Sequence, residues 1–246
     1  MDVVAGVEGL RPEHGPAFAV IGVFDGLHLG HAYLLEHLVR AAAVRSARPM
    51  VITFDHHPDE VLTGSAPPLL MDPDERLERL AAAGVAVTVV QHFDDAVRRT
   101  TYDDFVRAIA SRAGLAGLLM TPDAAFGYQR AGTPEALTAL GRRDGFDVVV
   151  IEPFTLDGRA VRSSEIRTAI ADGDLATAAG LLGRPVTLRG RLEGGAFELA
   201  QPHALPPEGS YPCSIGGEPV SLAIADGALR IDAPRAVDGR VELRFA

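Results

Sequence analysis

The chain has 246 residues, with 23 basic side chains against 33 acidic ones and a formal net charge of −10. Nucleic-acid binding draws on clustered basic charge, so this balance argues against a nucleic-acid partner while leaving room for a small phosphate ligand in a local pocket. A lone cysteine, Cys213, excludes an internal disulfide and a multi-cysteine zinc site. No apolar run reaches bilayer length, so no membrane association is expected, and the first residues lack a signal-peptide layout; a cytoplasmic location is the expectation. All the basic residues are arginine. Any cationic contact to a phosphate must therefore come from arginine, histidine, a metal ion or backbone N–H groups, and a lysine-bearing phosphate loop is impossible.

Along the chain, short apolar runs alternate with helical patterns. Strands are predicted over Phe18–Val23, Met50–Phe54, Val85–Val90, Leu115–Thr121 and Asp147–Glu152, and helices over Ala32–Ser46, Pro73–Ala83, Tyr102–Ala113 and Pro134–Asp144. Such alternation predicts an α/β fold, a doubly wound parallel sheet with helices on both faces. Ligands of such sheets lie beyond the carboxyl ends of the strands, so chemistry is expected after the first, second, fourth and fifth predicted strands. Two short helices follow Ser164, divided at Gly173-Asp174 with Asp174 as N-cap, and end at Leu182-Gly183-Arg184-Pro185. Beyond Pro185 the texture becomes rich in Gly and Pro, with alternating runs at Val220–Ile224, Ala228–Ile231 and Arg240–Phe245. The expected division is residues 1–185 as the α/β domain and 186–246 as a small β domain. Oligomeric state is not legible.

Four segments carry candidate chemistry. In His28-Leu29-Gly30-His31, Gly30 permits close backbone approach, and the following helix offers free N–H groups and a positive dipole end. Two imidazoles there can stabilise charge on α- and β-phosphates. Alone, the pair would equally suit a surface helix start or a metal pair. Following an apolar strand and the turn Gly22-Val23-Phe24-Asp25-Gly26, it points to nucleotidyl transfer. Thr53-Phe54-Asp55-His56-His57-Pro58 follows the second predicted strand and faces either the ligand crevice or water. In Arg162-Ser163-Ser164-Glu165-Ile166-Arg167, either serine could cap a helix whose N-terminus, with Arg167, holds an anion. Asp123-Ala124-Ala125-Phe126-Gly127, continuing to Arg130 and Gly132, forms a loop that could wall an acceptor pocket or merely connect.

In this order and spacing, these segments resemble the adenylyltransferase module of bacterial bifunctional riboflavin kinase/FAD synthetases, within the H-x-G-H nucleotidyltransferases. That family's patterns run G-x-F-D-G-V-H-x-G-H, T-F-x-P-H-P, G-x-D-F-R-F-G, S-S-T-x-I-R and L-G-R-P, and the likeness spans about residues 17–185. The resemblance implies a Rossmann-like fold and transfer of AMP from ATP to FMN, giving FAD and pyrophosphate. It implies catalytic roles for His28, His31 and Arg167. It places Gly22, Phe24, Asp25, Gly26, Gly30, Arg162, Ser163 and Ser164 on the nucleotide, and Thr53, His57, Asp123, Phe126, Gly127 and Arg130 on the acceptor. Mg²⁺ would be held mainly through the phosphates, with Thr53 or Asp25 helping.

The departures bear on specificity. Thr121 replaces the first glycine of the third pattern, Ala124-Ala125 its inner Phe-Arg pair, His56 a proline, and Arg162 a serine. They leave open another phosphate or phosphonate acceptor, CTP as donor, or a silent protein that only binds flavin or nucleotide. The P-T-A-N signature of the kinase module is absent after Arg189-Gly190-Arg191, so residues 186–246 are expected to be a β-barrel remnant without kinase activity.

Overall fold

In the computed structural model, which describes residues 1–232 and 239–246, the chain forms two compact units. The first comprises Met1–Phe24, Gly30–Pro67 and Leu77–Phe154, and the second Asp25–Leu29, Pro68–Arg76 and Thr155–Ala246.

The first unit holds six parallel strands: β1 (Asp2–Ala5), β2 (Ala17–Ile21), β3 (Arg48–Phe54), β4 (Val87–Gln91), β5 (Leu115–Met120) and β6 (Asp147–Val150), ordered β1-β4-β3-β2-β5-β6. The helices in chain order are α1 (Leu29–Val44), α2 (Pro58–Thr63), α3 (Pro73–Ala82), α4 (Asp95–Arg99), α5 (Tyr102–Ala113) and α6 (Pro134–Asp144). Alternation along the strands decides the core. Ala17, Ala19, Met50, Ile52, Val87 and Val89 face one side, in one cluster with Val106 and Ile109 of α5 and Leu137 of α6. The pleat turns Phe18, Val20 and Val51 to the other side, and all three are buried. Each fully buried side chain of this size contributes about 1.5–3 kcal/mol.

The expected α/β sheet is therefore present, and α5 and α6 have their predicted bounds. The short helices α2 and α4 were not expected, several other ends shift by one to two residues, and three further differences bear on the sheet edge and the site. Strand β1 was not expected; its four residues carry no readable period, and it gains strand identity only by pairing with β4. β2 stops at Ile21, one last bond from Gly22 N to Ile52 O at 3.0 Å preceding a turn in which Phe24 takes a positive φ of 54°. α1 starts at Leu29, which puts Gly30 and His31 in its first turn.

In the second unit, the hairpin β7 (Thr155–Leu156) and β8 (Arg159–Ala160) precedes α7 (Ser163–Ala171) and α8 (Leu175–Leu182). A closed antiparallel barrel follows, built from β9 (Thr187–Glu193), β10 (Ala196–Glu198), β11 (Gly209–Ile215), β12 (Glu218–Ala225), β13 (Ala228–Asp232) and β14 (Gly239–Phe245). Its core runs from Leu188, Leu222 and Leu243 to Ile166 and Ile170 of α7 and to Leu70. Asp174 caps α8 as expected, accepting from Thr177 N at 3.0 Å. Among the described residues, no helix is long and apolar enough to cross a membrane.

Candidate active site

The turn after β2 is built on backbone geometry that most side chains resist. Gly26 has φ 82°, which favours glycine, and a Cβ there would press on Leu70 Cδ1 at 2.9 Å. Leu27 follows at φ 37°. Such strain persists only when the surroundings over-determine it, and in the second unit they do. Arg184 donates from Nη2 to Gly26 O at 2.7 Å and from Nη1 to Leu27 O at 3.3 Å. Ser163 Oγ donates to Asp25 O at 3.0 Å.

The Asp25 carboxylate anchors the same turn. It accepts from Leu70 N at 3.1 and 3.0 Å and from Arg167 Nη2 at 2.6 Å, while Arg167 Nε donates to Pro68 O at 2.7 Å. Burial holds the Asp25 pKa above its ordinary value even though Arg167 pulls the other way. Asp25 is thus a buried brace rather than a group presented to a nucleotide. The two bonds of Arg167 commit two of the five N–H donors of a guanidinium, leaving others for an anion.

The expected serine cap of α7 is absent. Arg162 occupies the N-cap position and no side chain closes the helix end, because the Ser163 hydroxyl is spent on Asp25 O. What this end offers an anion is its first-turn N–H groups and dipole. Arg162 and Ser164 are exposed there.

His28 is 5 % exposed, and burial, reinforced by the Arg184 charge, depresses its pKa to about 4. It is a neutral imidazole at pH 7. A base with a depressed native pKa stabilises the fold above its unfolded value near 6.5 and loses that contribution as pH falls towards 4, because the unfolded chain binds the extra proton. Stability is expected to drop by about 3 kcal/mol across that window. Denaturant midpoints measured against pH check this, with His28→Gln expected to flatten the profile; an equal slope in that variant contradicts the assignment.

In the first unit, His31 is half-buried, with its ring centroid 5.0 Å from that of the buried Phe24. Thr53 is fully buried, its Oγ1 donating to Val23 O at 2.9 Å. It latches the segment after β2 to β3 and is closed to an acceptor. His57 caps α2, its Nδ1 accepting from Asp59 N at 3.2 Å.

A cavity of about 650 Å³ opens beside these segments in the same unit. Ile21, Gly22 and Val23 line it at the end of β2, Phe54 and Pro58 at the end of β3, Phe93 and Val97 after β4, and Phe126, Gly127 and Arg130 after β5. Aromatic pairs stiffen its wall: Phe54 meets Phe93 edge-on at 5.4 Å, and Phe105 meets Phe126 at 6.0 Å. Gly127 has φ 75°, and a Cβ there would fall 2.5 Å from Tyr102 N, so the loop closes against α5 only with glycine.

Of the residues expected at an acceptor, the cavity gathers Phe126, Gly127 and Arg130, together with Gly22. It does not gather Thr53, His57 or Asp123; Asp123 is exposed and accepts from Thr121 Oγ1 at 2.8 Å. Three contributions were not foreseen. Phe93 and Val97 lie after β4, a segment given no chemical part because its only signal is a lone aromatic residue in a polar stretch. Phe54 stands inside the Thr53–Pro58 motif but carries no polar group to mark it for chemistry. Arg184 belongs to the Leu-Gly-Arg-Pro stop signal, whose sequence tells of a helix end and not of a turn clamp.

The model of the FAD synthetase family matches residues 10–165. The chain belongs to the FAD synthetase family. This membership makes it a nucleotidyltransferase. The chain is 32% identical over 208 residues to the bifunctional riboflavin kinase/FMN adenylyltransferase of Pseudomonas fluorescens, spanning 83% of this chain and 67% of that protein. It is 34% identical to the protein of the same description from Haemophilus influenzae, spanning 70% and 56%, and 32% identical to that of Escherichia coli, spanning 79% and 63%. The matches thus cover 56 to 67% of those relatives. The fold is shared along both full chains with a crystal structure of a macrolide-efflux protein from Streptococcus pneumoniae (TM-score 0.82, 22% identity, covering 100% of this chain and 98% of that one).

Mg²⁺, expected for nucleotidyl transfer, finds no ligand in the two residues foreseen as helpers. Asp25 has its oxygens on Leu70 N and Arg167, and the Thr53 hydroxyl is buried against Val23 O. A Mg²⁺ site needs open oxygens in octahedral array. Neither residue fits.

Proposed function

We propose that this FAD synthetase family member transfers the adenylyl group of ATP to the phosphate of FMN, forming FAD and releasing pyrophosphate. A phosphate oxygen of FMN bonds to the α-phosphorus, the bond from that phosphorus to the bridging oxygen breaks, and the electron pair leaves with pyrophosphate. The attacking oxygen is already anionic, so no strong base is required, and catalysis is positioning and charge stabilisation.

The observation that carries the reading is the aromatic-lined cavity at the carboxyl ends of β2, β3, β4 and β5. Its volume suits a small ligand, and its composition suits a flat, largely apolar ring system such as that of flavin, with Arg130 at hand for a phosphate. His28 serves as a neutral N–H donor to the triphosphate, and His31 and the N-terminus of α1 as further donors. The second-unit group, the first turn of α7 with Arg162, Ser164 and the uncommitted donors of Arg167, takes the pyrophosphate. Within the second unit, Asp25, Ser163 and Arg184 hold the turn that carries His28 without touching substrate.

Functionally, residues 1–185 form the nucleotidyltransferase portion, and residues 186–246 a barrel without kinase activity, since the P-T-A-N signature is missing. A cytoplasmic location belongs to the same proposal.

A second reading keeps the chemistry and changes the acceptor or nucleotide. It rests on Ala125, which lines the cavity, and its neighbour Ala124, small residues where the family pattern has Phe-Arg. Offering FMN with each of four nucleoside triphosphates and following pyrophosphate separates the two. Release only with ATP supports FMN adenylylation; release with CTP, or none while FMN is present, favours the second reading.

A further inference from the structure

Beside the aromatic cavity, but not part of its lining, three metal-ligating side chains converge. Asp55 Oδ2 lies 2.6 Å from His92 Nδ1, and Asp55 Oδ1 lies 3.2 Å from His56 Nδ1. One ligand atom from each of the three residues falls within 4.8 Å of the others. The imidazoles of His56 and His92 stand edge to face, with centroids 5.8 Å apart.

Backbone structure sets this convergence. β3 and β4 are parallel neighbours with Phe54 opposite Gln91, so Asp55 and His92 are the next residues off two adjacent strand ends. Asp55 N donates to Gln91 O at 3.2 Å, and Phe93 N donates to Asp55 Oδ1 at 3.3 Å, which fixes the carboxylate. His56 follows Asp55 directly, and its N–H donates to the same oxygen at 2.8 Å.

We propose that Asp55, His56 and His92 form a binding site for a divalent transition ion of the Zn²⁺ class, one that clamps the ends of β3 and β4. Two imidazole nitrogens and one carboxylate are the donor set that Zn²⁺ accepts and Mg²⁺ does not favour. Ligand atoms around tetrahedral Zn²⁺ stand roughly 3.4 Å apart at bond lengths near 2.1 Å. The two histidine–carboxylate distances, 3.2 Å to Oδ1 and 2.6 Å to Oδ2, lie on the lower side of this scale. All three ligand atoms lie within 4.8 Å of one another, and rotation of imidazoles that are more than half exposed, 51% for His56 and 65% for His92, brings them to tetrahedral spacing. The ion takes the place that a shared proton holds between Asp55 and His92, and water fills the fourth position. Phe54 and Phe93 immediately adjoin the ligands and pair across the cavity wall, so the ion also stiffens that wall.

The proposal stands independently of the reading of function, and its test uses no enzyme assay. The chelator-treated chain is titrated with Zn²⁺ by calorimetry, and with Co²⁺ by visible absorption, beside His56→Ala and His92→Ala. One ion per chain is expected, with affinity lowered at least about tenfold in each variant, a tetrahedral Co²⁺ spectrum, and no displacement by excess Mg²⁺. Amide exchange at residues 54–57 and 91–94 is expected to slow with Zn²⁺ in the parent chain and not in His92→Ala. The absence of saturable uptake, uptake that both variants retain, or displacement by Mg²⁺ overturns the proposal.

Discussion

Arg167→Ala is expected to lower the unfolding free energy by about 3–5 kcal/mol, the usual cost of stranding one partner of a buried ion pair. The Asp25 carboxylate is 5% exposed and the Arg167 side chain 16%, so the charge left behind has little water to turn to. Two backbone N–H bonds from Leu70 remain, which limits the loss but does not replace a cation. Without Arg167, the already raised Asp25 pKa moves further up. A raised acid favours the fold below its unfolded pKa and disfavours it as pH rises through the native value, so the variant's deficit is largest at neutral pH and shrinks on acidification. Adding Asp25→Asn to Arg167→Ala removes the stranded charge and is expected to recover part of the deficit. Chemical denaturation at pH 7 and pH 5 provides the comparison. A loss under about 1 kcal/mol, with no pH dependence, would show that the pair is not a structural brace.

His31→Ala is expected to reduce turnover by two to three orders of magnitude, on the order of the effect of removing one charge-stabilising donor from a transition state. The half-buried ring lies in the first turn of α1, against the ring of Phe24 and outside the hydrophobic core clusters, so the chain is expected to stay folded. The loss should appear in kcat, with the FMN concentration for half-maximal rate nearly unchanged, because the imidazole stabilises charge that builds only during transfer. Unchanged kcat would remove His31 from the chemistry.

Much of this architecture is legible in the residues themselves. Strand-helix alternation carries the parallel sheet, since its period depends on burial that local sequence reports directly. The same holds for α5 and α6, bounded by Thr101 and Thr133 caps and by glycines that follow. β1 escapes notice because it depends on a partner 85 residues away, Asp2 pairing with Val87. The motif histidines are visible as a pattern, but their environments are not. That His28 is neutral follows from burial and from Arg184, a residue whose local sequence marks only the end of α8. Asp25 reads as a polar turn residue suited to a nucleotide or metal, and tertiary contacts with Leu70 and Arg167 make it a brace instead. The serine pair reads as a cap, yet Ser163 serves a carbonyl 138 positions away. Where a long-range partner competes for a polar side chain, local propensity names the residue but not its role.

The central claim is adenylyl transfer to FMN, and product analysis tests it most directly. Purified protein incubated with ATP, Mg²⁺ and FMN is predicted to yield FAD and pyrophosphate in equal amounts, resolved by chromatography, with no FAD when ATP is replaced by CTP. FMN recovered unchanged after prolonged incubation with every nucleoside triphosphate would contradict it.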